Sequence, residues 1–256
     1  MKHWMTVLAA GVMSLGVAAA AQAQSALNEI LDSGVMKFGT TGDWNPMSVR
    51  DPATNSYKGF DIDVANELAA DLGVEVEFVP TDWKTLVNGV VAGKYHLTGS
   101  ASISPPRMKV AGFSESYIAV EIMPFTTPDK AERFHGYDTI NKPEVKVATT
   151  LGTTFEALVR EWFPNADIKV VEAPARGFQE VLAGRADVFI TSNIEGSPLT
   201  AKHGVVQVPG NEPRSPSPLA MLLPQDDQVW INYVNNWVKV KQAQGFFDKT
   251  RAKWGL

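Results

Sequence analysis

Residues 59–79, GFDIDVANELAADLGVEVEFV, change period halfway along. Phe60, Val64, Leu68 and Leu72 recur at the spacing that puts apolar groups on one helix face. After Gly73, VEVEFV alternates apolar and polar residues, as a half-buried strand does. Residues 36–41 ahead of this stretch read as a strand, 83–92 behind it as a helix, and 96–99 as another strand. The order β-α-β-α-β favours a mostly parallel sheet with helices on its faces.

The pattern then restarts. Residues 145–150 (VKVATT), 168–173 (IKVVEA) and 186–191 (ADVFIT) read as strands, with helices at 153–163 and 177–183 between them. Two α/β units result, roughly 25–104 and 142–191. A stretch rich in Pro, Gly and Ser follows at 208–218 and reads as a loop, then a β-like run at 219–224. Val229, Trp230, Tyr233, Val234 and Trp237 mark a final helix. The terminal helices have no sheet of their own, so they need the first unit as a partner. That requires two extended crossings, near 121–127 and 217–223. The expected fold is α/β with two lobes, each a mostly parallel sheet flanked by helices, joined by two hinge strands around a cleft. The assignment is 24–123 plus 222–256 for the first lobe and 124–221 for the second. A single continuous doubly wound sheet is the alternative.

Lys2 and His3 precede an apolar run over 5–20, and the small residues Ala21 and Ala23 follow. This reads as a secretory signal peptide over 1–23, cleaved after Ala23. The run is shorter than the roughly 20 residues a spanning helix needs. Export permits disulfides, yet the chain has no cysteine, so burial alone must hold it. A net charge of -5 argues against nucleic acid as a partner. Four histidines without metal-ligand spacing and without cysteine partners give no zinc pattern. No Ser-His-Asp set and no phosphate loop is visible, and no cofactor is expected.

Several residues are placed to bind. Arg107 follows GSASISPP, a turn of small residues, and its planar fork suits a carboxylate. Taken alone, it reads better as a surface arginine paired with a loop acid. Gly152, Thr153 and Thr154 open a helix whose first N–H groups attract anions, and simple threonine capping explains the same residues. Trp44 sits in a polar loop and Trp83 at a helix start, whereas Trp162, Trp230, Trp237 and Trp254 read as core. Gly59 permits a tight turn, and Asp61 and Asp63 read as helix-start acids that cap free N–H groups.

GFDIDVANELAADL, with TTGDWNPMS, SISPPRMKVAGFSESY, LGTTFE and GRADVFIT, resembles the bacterial solute-binding proteins of family 3, the polar amino-acid binders of ABC transporters. The resemblance spans essentially the whole mature chain. VPTDWKTLV, TSNIE and LAMLLPQDD are similar to its enzyme branch, the periplasmic cyclohexadienyl (arogenate/prephenate) dehydratases. The resemblance implies that Arg107 holds a ligand's α-carboxylate and that Gly99, Ser100 and Ser102 add backbone or hydroxyl contacts. It also implies that Trp44 and Trp83 line the ligand's body. Two departures follow. Ser192 stands where amino-acid binders usually carry an aspartate for the ligand's ammonium, so either the ligand lacks that group or Glu195 or another acid substitutes. Phe155 stands where the resemblance implies the dehydratases' glutamate general acid, and Glu156, one residue on, is turned by about 100°. The expectation is a periplasmic protein, acting as a monomer, that captures a small carboxylate or amino acid for an inner-membrane ABC permease. The dehydratase is the alternative, and a receptor-linked sensor is a third option.

Overall fold

The structure is a computed structural model that describes residues 24–210 and 212–256. The expected signal peptide lies outside the described residues. The chain runs α1 (Ala26–Ser33), β1 (Val35–Thr40), β2 (Asp43–Trp44), β3 (Ser48–Arg50), β4 (Tyr57–Lys58), α2 (Phe60–Leu72), β5 (Glu75–Pro80), α3 (Leu86–Val91), β6 (Leu97–Ser102), α4 (Pro105–Met108), β7 (Gly112–Phe113) and β8 (Ile118–Thr126). It continues through α5 (Pro128–Ala131), α6 (Tyr137–Ile140), β9 (Lys146–Thr150), α7 (Thr154–Trp162), β10 (Asp167–Val171), α8 (Gly177–Leu182), β11 (Val188–Ser192), α9 (Asn193–His203), β12 (Val206–Gln207), β13 (Arg214–Leu223), α10 (Gln228–Ala243) and α11 (Phe246–Trp254).

Two parallel three-strand sets form the sheets of a two-lobed α/β fold. One is β5-β1-β6, the other β10-β9-β11. Between them lie β8 and β13, antiparallel to each other, with Leu219 opposite Ile118 and Arg214 opposite Ile122. β13 also pairs with β6, and β8 with β11. Hydrogen bonding is therefore continuous from β10 to β5, and the sheet curls through the two crossing strands. The stretch 208–218, expected as a loop, is strand from Arg214 onward. Pro216 cannot donate to a ladder, and the β13–β8 register shifts between Arg214 and Ser217, where an irregularity accommodates it; Pro218 stays in register opposite Ala119.

The buried apolar residues divide with the crossings. Phe38, Phe60, Leu68, Leu97, Met221 and Trp230 belong to one core, which the terminal helices complete through Val234, Trp237 and Phe247. Ile122, Val147, Val159, Phe163 and Val188 form a core on the other side. Trp230 is fully buried and donates Nε1–H to His96 O at 3.1 Å. That bond ties α10 to the start of β6, and Trp237 likewise bonds Asp71 of α2 at 2.6 Å.

Several elements escaped the sequence reading, among them α1, the small β2-β3-β4 sheet and α9, and α3 starts later than expected. The turn before α3 holds Trp83, because the Asp82 carboxylate accepts from Thr85 N at 2.8 Å. The capping role expected of Asp61 and Asp63 also changes. The first N–H groups of α2 bond backbone carbonyls instead, Phe60 N to Pro46 O at 3.0 Å and Asp61 N to Met47 O at 2.9 Å. Asp63 accepts from Lys253 and from the Trp254 indole, which pins α11 against α2.

Those carbonyls explain Gly59. Its φ is +139°, and a Cβ there would lie 2.3 Å from Met47 O. We expect Gly59→Ala to destabilise the protein by about 2 kcal/mol or more, from strain plus collision. Urea unfolding checks this, and an unchanged midpoint would show that the carbonyl cap yields freely.

Candidate functional site

Between the lobes lies a cleft with about 620 Å³ of empty space, part of it open to solvent. Of the ten residues expected to bind, eight line it: Trp44, Trp83, Ser100, Ser102, Arg107, Thr153, Thr154 and Phe155. Ser192 does not. It is fully buried and caps α9, its Oγ accepting from Glu195 N at 3.4 Å. Gly99 lies behind the wall, packed on the Asp61 carboxyl and lining a smaller cavity.

Arg107 enters from α4. Only 8% of it is exposed. Its Nη1 donates to Ser102 O at 3.2 Å and its Nη2 to Gly152 O at 3.4 Å. Among the described residues no carboxylate pairs with it. Burial pushes its pKa down to about 10, with no acid nearby to offset that. A guanidinium held dry on two carbonyls retains donors for an anion.

The second lobe faces it with the start of α7. The Thr153 hydroxyl donates to Thr150 O at 2.7 Å, so it stabilises the turn rather than the helix N–H groups. Among the described residues the backbone N–H groups of Thr154 and Phe155 have no protein acceptor. The Thr149 hydroxyl, buried in the cleft wall, also has no partner. Glu156 bends back to the Gly152 N–H at 3.2 Å and to Arg160, and so stays out of the cleft.

The first lobe supplies the aromatic wall. Trp44 and Trp83 meet edge to face at 5.7 Å, and the Trp83 indole donates to Asp43 at 3.1 Å. Behind them, Ser100 holds φ +31°, a left-handed conformation uncommon outside glycine. Two buried groups hold it: the Tyr117 hydroxyl accepts from Ser100 N at 2.7 Å, and Asp61 accepts from Ser100 Oγ at 2.5 Å.

The charges at the opposite end were not anticipated as a set. Arg176, just before α8, pairs with Glu195 of α9 and lies 3.8 Å from Asp43 of the first lobe. Thr191 donates its hydroxyl to Glu195. A signal for Glu195 was present: Ser192-Asn193-Ile194-Glu195 is the S-x-x-E pattern of a capped helix start. Nothing local marks Arg176. It reaches the cleft through the fold, and so do Phe178 and Phe189.

The lobes touch across the cleft. Arg107 bonds Gly152, Arg176 approaches Asp43, and Lys84 lies 3.5 Å from Glu172. A Cβ on Gly152 would meet Lys84 Cα at 2.5 Å, so backbone meets backbone there.

The model of the family described as bacterial extracellular solute-binding proteins, family 3, matches residues 36–256, and the chain belongs to that family. It is 32% identical to a cyclohexadienyl dehydratase of Pseudomonas aeruginosa, over 99% of this chain and 94% of that protein. It is 22% identical to the L-cystine-binding protein TcyJ of Escherichia coli, over 95% of this chain and 93% of that one. Among solved structures, an ancestral amino acid-binding protein described as a precursor of cyclohexadienyl dehydratase superposes with a TM-score of 0.84 at 38% identity. That match covers 90% of this chain and 99% of the other.

Asp61 yields a pH prediction. Burial raises its carboxyl from 3.8 to about 7, and the Ser100 bond offsets only part of that. A carboxyl raised on folding destabilises the native state increasingly as pH climbs from its unfolded pKa to its folded one. Asp61→Asn removes this penalty. The variant's stability relative to wild type should therefore rise between pH 4 and pH 7 and level off above. Denaturant midpoints across that range test it, and a flat difference would sink the assignment.

Proposed function

We propose that the protein is a periplasmic binder of a small organic carboxylate or amino acid, which it captures in the interlobe cleft and delivers to an inner-membrane ABC permease. One observation carries this reading: Arg107, 8% exposed in the cleft, has two carbonyl partners and no carboxylate. A ligand carboxylate supplies the missing charge. The N–H groups of α7 approach from the other lobe and complete the grip. A ligand that touches both lobes favours the closed arrangement over the open one, and that difference in affinity drives closure.

A second reading, a cyclohexadienyl dehydratase, has its own support. Glu195 is the one carboxyl among the cleft-lining residues, and the dehydratase relative aligns over nearly the whole chain. Dehydration needs an acid that donates a proton to the departing hydroxyl. Glu195 is gripped by Arg176 and accepts from Thr191, so its oxygens are already engaged as acceptors. Phe155, which lines the cleft, cannot donate at all. These facts weigh toward holding a ligand over changing it.

Calorimetry separates the readings. Arg107→Ala should weaken binding of a carboxylate ligand by a factor of about 10 to 100, the worth of a charge-assisted bond. Undiminished affinity would remove the carboxylate site. Incubation with prephenate or arogenate should give no phenylpyruvate or phenylalanine; turnover that Glu195→Gln abolishes would establish the enzyme.

A further inference from the structure

The charges of the cleft can be counted. Arg107 is alone at one end. At the other, Arg176 contacts two carboxylates, Glu195 on its own lobe and Asp43 on the facing one. Arg107, Arg176 and Glu195 line the cleft, and Asp43 stands beside it against Arg176, so two positive and two negative charges balance overall but are divided. The Arg107 end carries +1. The Arg176 end carries -1, because one arginine is shared by two acids.

We propose that the cleft selects net-neutral zwitterionic amino acids with an apolar or aromatic side chain, and that Glu195 takes the ligand's ammonium while Asp43, beside the cleft, keeps Arg176 paired. This rests on the reading of Arg107 as a carboxylate site. The α-carboxylate neutralises the +1 end and the ammonium the -1 end. Trp44, Trp83, Phe155, Phe178 and Phe189 then remain for the side chain, all of them apolar walls. A lysine, arginine or glutamate ligand brings one charge more than the cleft can match. Stacking a cation on Trp83 recovers less than an unpaired ion costs in a desolvated site. A second ligand carboxylate would have to displace Asp43 or Glu195 from Arg176. Glu195 thus does what a carboxylate at position 192 would have done, from the first turn of α9 rather than the end of β11.

The test is isothermal calorimetry on the mature protein with L-phenylalanine, L-leucine, L-arginine, L-glutamate and 3-phenylpropanoate. Phenylalanine or leucine should bind at least about tenfold tighter than the other three. Equal or tighter binding of arginine or glutamate overturns the charge count and leaves the Arg107 reading intact. If 3-phenylpropanoate matches phenylalanine, the ammonium has no site and the proposal fails in the same limited way. Absence of binding by all five removes the carboxylate reading and this proposal with it. Asp43→Asn supplies an independent check, because it leaves Arg176 with one acid and shifts the cleft by +1. The affinity ratio of glutamate to phenylalanine should rise by about fivefold or more, and an unchanged ratio overturns the proposal even where both affinities fall through loss of the Trp83 contact.

Discussion

A buried arginine without a counter-ion is the constraint around which this molecule is arranged. Burial lowers the Arg107 pKa to about 10, which disfavours the charged form. Two carbonyls hold the guanidinium in place, and one of them, Gly152 O, belongs to the opposite lobe. The cost of dehydrating Arg107 is thus tied to closure. When the lobes part, water reaches the guanidinium; when they meet, it is left with carbonyl dipoles that offset a full charge poorly. An anion in the cleft changes that balance and makes the closed arrangement favourable.

The fold gives closure a mechanical basis. Each lobe has its own apolar core, and the backbone linking them consists of β8 and β13, paired antiparallel with a register irregularity between Arg214 and Ser217. Cores are close-packed and resist deformation, so bending concentrates in the extended strands. The interlobe side-chain pairs differ in strength accordingly. Lys84–Glu172 is exposed on both sides and adds little. The Arg176 cluster, with side chains only 13–19% exposed, is shielded enough for its charges to act on a ligand.

Much of this was legible in the sequence, and what was not has physical reasons. The strands and helices of both α/β units show in their periods because each buries one face. The terminal helices betray their need for a partner through Trp230, Trp237 and Phe247. The β2-β3-β4 sheet has no period to read, since its strands are two or three residues long. α9 was hidden by Gly196 and Pro198, residues that interrupt helical patterns; Ser192 caps its start, and Gly196 packs against the Phe125 ring where a Cβ would lie 1.9 Å from Cζ. In the site, Arg107 and the α7 threonines were visible because each sits in a run of small residues. Arg176 was not, because its meaning lies wholly in Asp43 and Glu195, which are distant in sequence and joined only by closure.

Between holding a ligand and transforming it, the decisive matter is the state of one carboxyl. Glu156 is bound to the Gly152 N–H and Phe155 has no proton to give, so chemistry in this cleft would have to run through Glu195. A carboxyl becomes a proton donor when it is desolvated without a cation. Glu195 is desolvated with one. Arg176 stands against it, and Thr191 spends its hydroxyl on the carboxylate as well. The same contacts set the Glu195 oxygens out as acceptors, which suits an ammonium better than a departing hydroxyl.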